Sequence, residues 1–462
     1  MKKHAFFLLG AAALASACGD VPTSSAPVSE QPSLVAASRG GGSEKFVAIG
    51  TSISMGWQSN GVYANGQLTS WPALLGFGTG RPISLPLIQS PGCTSPLVAP
   101  LGAGVRLSGE PLSGSTVCAP NVPGVTLPAQ NVGIAGAITI DALTKTPETG
   151  ATAAPWYNRV LPAGATQVSA ALGQQPSVIS VELGGNDILG VTSGLVAPGV
   201  TFVPFQFFAA AYDAVLNAIG SANAKVVLFA MPSDGTKLPA LRRGDEIWAD
   251  RAEFAALHVD VSPDCDGSQN YINVSIKSLN VVFTAAFTST HGLPNPVFSC
   301  ADVPGAPDLV LTPNDIAFLN GMLAQMQAHV REQASARGYA YASLGALYDR
   351  SLKPATYSVV SQLTSRRPYG LFVSLDGVHP TVFGHVLLAV EAARALNAQY
   401  GARFARTESA ASLRAEDNGA EEMLSASQAL ELARGVARAN RGMQLPPCSI
   451  PGGCRVGAFK LR

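Results

Sequence analysis

Charge is what this sequence has least of. Only 13% of its 462 residues are Asp, Glu, Lys or Arg; they balance to a net charge of zero, with no long run of one sign. A nucleic-acid surface needs clustered Lys and Arg to neutralise phosphates, so that class of partner is excluded. Ordinary disorder carries a high net charge, so low charge with 47 Gly and 33 Pro points instead to long ordered loops. No apolar stretch reaches the roughly 20 uninterrupted residues of a membrane-spanning helix. No cysteine pair has the tight spacing and neighbouring histidines of a zinc site. The Gly-x-Ser-x-Gly elbow of the α/β-hydrolases is missing, and so are internal repeats. What remains is a chain that is 47% apolar, enough for a large core.

The first residues read as an export signal. Lys2 and Lys3 supply the positive start, residues 5–14 a short apolar core, and Leu14-Ala-Ser-Ala-Cys18 resembles a bacterial lipobox with Cys18 as the acylated residue. The competing readings are an ordinary secretory signal or an N-terminal membrane anchor. Residues 1–18 are thus expected to be a lipoprotein signal, and residues 19–44, rich in Ser, Pro, Ala and Gly, a flexible tether. Gly19, in place of an Asp that would favour inner-membrane retention, points to an exported protein anchored in the outer membrane through its lipid; a secreted or periplasmic protein is the alternative. Beyond Cys18 there are six cysteines: Cys93, Cys118, Cys265, Cys300, Cys448 and Cys454. Six allow 15 pairings. Pairing sequence neighbours gives Cys93–Cys118, Cys265–Cys300 and Cys448–Cys454, each closing a Pro- or Gly-rich loop. Free buried thiols are the alternative.

From residue 45 the pattern changes. Residues 46–49, 177–183, 225–230 and 339–343 read as short buried strands. Between and after them, residues 205–219, 314–336 and 381–399 read as helices, the second announced by Thr312-Pro313-Asn314. Strands alternating with helices predict an α/β sandwich with a central parallel sheet, whose sites form at the carboxyl ends of its strands. The catalytic domain is expected over residues 45–402, interrupted by insertions at about 82–130 and 238–311 that would serve as lids or substrate walls. Residues 403–462 form a C-terminal extension without a functional reading, with an amphipathic helix around residues 420–439.

Three distant segments carry chemistry. Ser52 follows a predicted strand and Gly50, where a turn into a helix can expose a hydroxyl; without a base it would be a poor nucleophile, and Ser54 competes for the role. Asp376 and His379 lie in one loop, where the carboxylate can orient the imidazole and stabilise its protonated form. Gly184-Gly185-Asn186-Asp187 ends another strand and offers the Asn186 amide as an oxyanion donor, or is simply a turn braced by Asp187. Gly136, in Asn131-Val-Gly-Ile-Ala-Gly136, offers a further backbone N–H. The other histidines, His258, His291, His329 and His385, are assigned no catalytic part.

Taken together, these segments resemble the SGNH hydrolases, the GDSL family of esterases and lipases. Gly50-Thr51-Ser52-Ile53 occupies the place of Gly-Asp-Ser-Leu, Gly136 that of the second block's glycine, and Asn186 that of the asparagine in Gly-x-Asn-Asp; Asp376 and His379 match the closing pair. The resemblance spans residues 45 to about 401. It implies a flavodoxin-like three-layer α/β/α fold with disulfide-stapled insertions. It also implies a Ser52–His379–Asp376 triad and an oxyanion hole of Ser52 N–H, Gly136 N–H and the Asn186 side chain. The implied substrate is a carboxylic ester, with no metal and no cofactor required. Thr51 departs from the motif's Asp, which lies outside the triad but can tune the site. Two alternatives use the same residues differently: a glycan O-deacetylase, and a non-catalytic surface-binding lipoprotein on a retired hydrolase fold.

Overall fold

The computed structural model describes residues 44–79, 81–349 and 353–401. The expectations for Cys18, the signal and tether, the Cys448–Cys454 pair and the C-terminal helix lie outside the described residues.

Four runs of Val, Ile, Leu, Phe and Ala form the central sheet: β1 (Phe46–Gly50), β2 (Val178–Glu182), β3 (Lys225–Ala230) and β4 (Ala340–Ser343). All pair in parallel, in the spatial order β1-β2-β3-β4. Both faces of β1 and β2 are buried; β1 accordingly reads as a continuous apolar run, and β2 buries Ser180 and Glu182 among its Val and Ile. A fifth ribbon lies beside β1. Ala48 N–H donates to the Gln130 carbonyl, Val132 N–H to Ala48 and Ile134 N–H to Gly50, a parallel ladder through Asn131. Counted in chain order, this makes the arrangement 2-1-3-4-5, in which a ligand crevice opens where the order reverses beside β1.

Helices cover the two faces. On one, α1 (Trp71–Gly78) packs against α5 (Val382–Tyr400), which lies on β3 and β4; Trp71, fully buried, meets Phe229 at 4.7 Å. On the other, α2 (Gln167–Leu172) meets β1 and α3 (Phe205–Gly220), and α3 meets α4 (Pro313–Arg337), which packs on β3. The long helices carry explicit signals at their ends. Thr312 caps α4 by accepting from Asp315 N–H, with Pro at the first helical position, and Gly338 closes it with φ of 65°. Among the described residues no helix is long and apolar enough to cross a membrane.

The insertions are built into the molecule. Cys93–Cys118 and Cys265–Cys300 are disulfide-bonded, as sequence proximity predicts. The first insertion buries Ile83, Leu85, Leu87, Ile88 and Leu101 and ends as the fifth ribbon of the sheet, so it is part of the core rather than a cover. The second contributes a small antiparallel sheet of Leu241–Arg243, Tyr271–Asn273 and Val310–Leu311.

Candidate active site

The site sits at the carboxyl ends of the fifth ribbon, β1 and β2. Strand β1 ends at Gly50, Thr51 is still extended at φ −105° and ψ −152°, and a single helical turn, Ser52–Met55, then closes at Gly56 with φ of 85°. This puts the Ser52 side chain at a sharp strand-to-helix turn, with 7% of its surface accessible. Its Oγ lies 2.9 Å from His379 Nε2.

His379 and Asp376 come from a tight hairpin preceding α5. Val373 bridges Pro380, and Ser374 N–H donates to the His379 carbonyl. His379 Nδ1 lies 2.9 Å from Asp376 Oδ2. A carboxylate can only accept, so Nδ1 carries the proton and Nε2 of the neutral ring is left to accept from Ser52. Asp376 is itself saturated. Its Oδ1 accepts from the backbone of Val378 and His379 at 2.9 and 2.8 Å and from Ser374 Oγ at 3.2 Å, while its Oδ2 also accepts from Asn60 N–H at 2.7 Å. Burial pushes this carboxyl up, but the adjacent His379 and the donated hydrogen bonds outweigh it and hold it at about 2. Asn60 belongs to a two-residue turn, with Ser59 and Asn60 at φ 53° and 55° between the paired Gln58 and Gly61. The buried Arg106 guanidinium, in the first insertion, donates to the Asn60 carbonyl and thereby steadies the turn.

The predicted oxyanion residues follow adjacent ribbons: Gly136 the fifth, Ser52 β1 and Asn186 β2. The Ser52 and Gly136 backbone N–H groups have no acceptor among the described residues. Gly136 holds φ of 77°, left-handed backbone that a residue with a Cβ rarely adopts. The carbonyls on either side of it are tied back, Ala135 by Trp156 Nε1 at 2.8 Å and Ala137 by Asn186 Nδ2 at 2.9 Å. An amide has two N–H groups, so Asn186 keeps a second donor, also without an acceptor among the described residues. Trp156 meets Trp57 edge-on at 5.0 Å, and Trp57 lies 6.3 Å from the His379 ring; the aromatic pair lines this side of the site.

Sequence reasoning missed several supports. Ser54 does not compete with Ser52: it is fully buried and donates to Glu182. Glu182, at the end of β2, takes hydrogen bonds from Thr51 and Ser54, and its signal was available as the one carboxyl in a buried strand. His385 is a core residue that accepts from Trp71 N–H, kept neutral by burial, which lowers it to about 3. His329 pairs with Asp213 at 3.0 Å amid Phe205, Phe208 and Tyr212.

Asp187 does brace its turn, by accepting from Thr139 N–H and Oγ1 at 3.0 Å each. Burial raises its carboxyl to about 7, with Asp141 adding to the effect. A raised carboxyl stabilises the fold fully below its ordinary range near 4, and that contribution is lost as pH rises through 7. Asp187→Asn, neutral throughout, is therefore expected to exceed the wild type in stability by on the order of 2 kcal/mol at pH 8, with the gap closing by pH 4. Urea unfolding at the two pH values checks this; a gap independent of pH refutes it.

In comparisons with known proteins, no protein-family model and no curated protein matches the chain. Among solved structures it is similar to an acetylxylan esterase from Geobacillus stearothermophilus, at 13% identity and a TM-score of 0.33, over 79% of this chain and 98% of that one. It is also similar to an extracellular lipase from Streptomyces rimosus, at 15% identity and a TM-score of 0.32, over 77% of this chain and 100% of that one.

Proposed function

We propose that this protein is a serine hydrolase of carboxylic esters, of the SGNH type that its motifs resemble. The observation that carries the reading is the unbroken chain from Ser52 Oγ through His379 to Asp376, with both links at 2.9 Å. Ser52 Oγ attacks the ester carbonyl as His379 Nε2 takes its proton, and Asp376 remains ionised beside the imidazolium. The carbonyl oxygen gathers charge and meets the Ser52 N–H, the Gly136 N–H and the second Asn186 N–H, three donors without an acceptor among the described residues. His379 returns the proton to the departing alcohol. Water then repeats the sequence on the acyl-enzyme and releases the acid. These steps draw only on this chain's own residues.

The test is fluorophosphonate labelling of the purified protein, with peptide mapping and a p-nitrophenyl ester series from acetate to palmitate. A single adduct on Ser52, with turnover of at least part of the series, is the expected result; a folded protein that takes no label overturns the reading. The same proposal places the enzyme outside the cytoplasm on a lipid at Cys18, in the outer membrane. The two disulfides support an oxidising compartment. Palmitate incorporation abolished by Cys18→Ala is expected, and a wild-type protein that takes up no palmitate sinks the anchor.

A further inference from the structure

Glu182 is the only carboxyl on the four central strands, and it is fully buried. Its partners are not scattered. Oε2 accepts from Thr51 N–H at 3.0 Å, Ser54 N–H at 3.1 Å and Ser54 Oγ at 2.9 Å; Oε1 accepts from Thr51 Oγ1 at 2.8 Å. All four donors come from two residues, one immediately before Ser52 and one two positions after it. Strand register brings this about, because Glu182 is paired with Gly50, the last residue of β1. The approach requires glycine there: a Cβ on Gly50 would stand 2.2 Å from Ser54 Oγ and 3.0 Å from Glu182 Oε2.

We propose that Glu182 is a positioning residue for the nucleophile. By holding the turn from both sides through Thr51 and Ser54, it leaves Ser52 as the residue whose backbone N–H and hydroxyl face outward to the substrate. The inference rests on Ser52 being the nucleophile. The physical argument is one of satisfaction. Buried donors must find acceptors, and without this carboxyl the Thr51 and Ser54 groups would each have to reorganise the turn to reach others. A displacement of about 1 Å at a reacting group costs on the order of 100-fold in rate. Burial holds the Glu182 carboxyl above its ordinary range, so a neutral group of the same shape can replace it. A glutamine keeps the shape and the main contacts. Its oxygen takes the three donors that Oε2 now receives, and one amide N–H donates to Thr51 Oγ1; the second N–H and the turned Thr51 hydroxyl lose their acceptor, a cost that falls on stability rather than on the position of the turn.

The experiment compares Glu182→Gln, Glu182→Leu and the double variant Thr51→Val/Ser54→Ala with the wild type, in the full chain. It measures steady-state hydrolysis of a short-chain ester and the rate of phosphonate inactivation at Ser52, with circular dichroism as the control for folding. Glu182→Gln is expected to keep kcat within about threefold of the wild type. Glu182→Leu is expected to lower kcat and the inactivation rate together by about 100-fold, with KM within about threefold. The double variant removes two hydroxyl donors, leaving Oε1 without its partner while Oε2 keeps the Thr51 and Ser54 backbone donors; it is expected to lower both rates about tenfold, and it decides the matter if Glu182→Leu does not fold. Wild-type rates in a folded Glu182→Leu protein, or in the double variant, overturn the positioning role. A Gln variant as impaired as the Leu variant overturns the hydrogen-bond account. A wild-type protein that resists labelling at Ser52 is a separate result, which removes the nucleophile and the positioning role with it.

Discussion

Replacing Ser52 with alanine is expected to lower kcat for ester hydrolysis by about 10⁴-fold or more while leaving the fold intact. The hydroxyls that flank it in sequence cannot substitute: those of Thr51 and Ser54 are buried and committed to Glu182. The fold loses little. The Ser52 side chain makes one hydrogen bond, to His379, and the backbone of the single helical turn is as well served by alanine. Tm should stay within about 3 °C of the wild type. Calorimetry beside a p-nitrophenyl acetate assay checks both halves. A well-folded Ser52→Ala protein that keeps a tenth of the wild-type rate rules out this serine as the nucleophile.

Asp376→Asn should come next in size, with kcat lower by about 10³- to 10⁴-fold. The reason lies in what surrounds the carboxylate. Oδ1 faces three donors and Oδ2 faces two, His379 Nδ1 and Asn60 N–H. An asparagine must turn its NH₂ toward one of these sets, and the smaller opposition is at Oδ2. There the amide becomes a donor to Nδ1, so the ring proton moves to Nε2 and points at Ser52 Oγ, and the imidazole can no longer accept the serine proton. Asn60 N–H is left facing a donor as well, which is expected to cost about 1–3 kcal/mol of stability. The loss should fall on kcat more than on KM, because Asp376 bonds the ring nitrogen of His379 that faces away from Ser52. A folded Asp376→Asn enzyme within tenfold of the wild-type kcat contradicts this account of the site. In the wild type, the stability that Asp376 contributes is present above its ordinary range near 4 and disappears as pH falls through about 2.

Much of this arrangement was legible in the sequence, for a local reason. The central strands are short apolar runs bounded by Gly or Pro, and their bounds fall within one residue of those read from composition. Ser52, Asn186 and Asp376–His379 all lie just past strands or just before a helix, where a parallel sheet gathers its site. Two disulfides join cysteines that are neighbours in sequence. What stayed hidden depends on partners far away. Asn131 begins the fifth ribbon although the segment around it, broken by Gly133 and Gly136, lacks a β-branched run; its pairing comes from Ala48 and Gly50 rather than from its own propensity. Asn60-Gly61 carries an ordinary turn signal, but nothing local says that the turn donates to a carboxylate 316 residues later. Glu182 reads as a flaw in a buried strand until its register with Gly50 is known. The first insertion resembles a lid in composition, because Pro, Gly and Ser do not reveal that the leucines and isoleucines among them are buried.

The distance along the chain between the reacting groups has one further consequence. Ser52 and His379 are 327 residues apart, and bonds of similar span fasten the hairpin to the turn, from Asn60 N–H to Asp376 and from Ser59 N–H to Ser374 Oγ. Contacts of such separation form late, once the intervening sheet has closed its loops. On the proposed mechanism, a nascent chain therefore carries its nucleophile long before it has a base, and stays inert until its last strand and hairpin dock. Turnover is thus a clock for the final step of folding: during refolding, recovery of activity should trail the return of helical signal, and the interval between them measures how long the two ends of the chain take to meet.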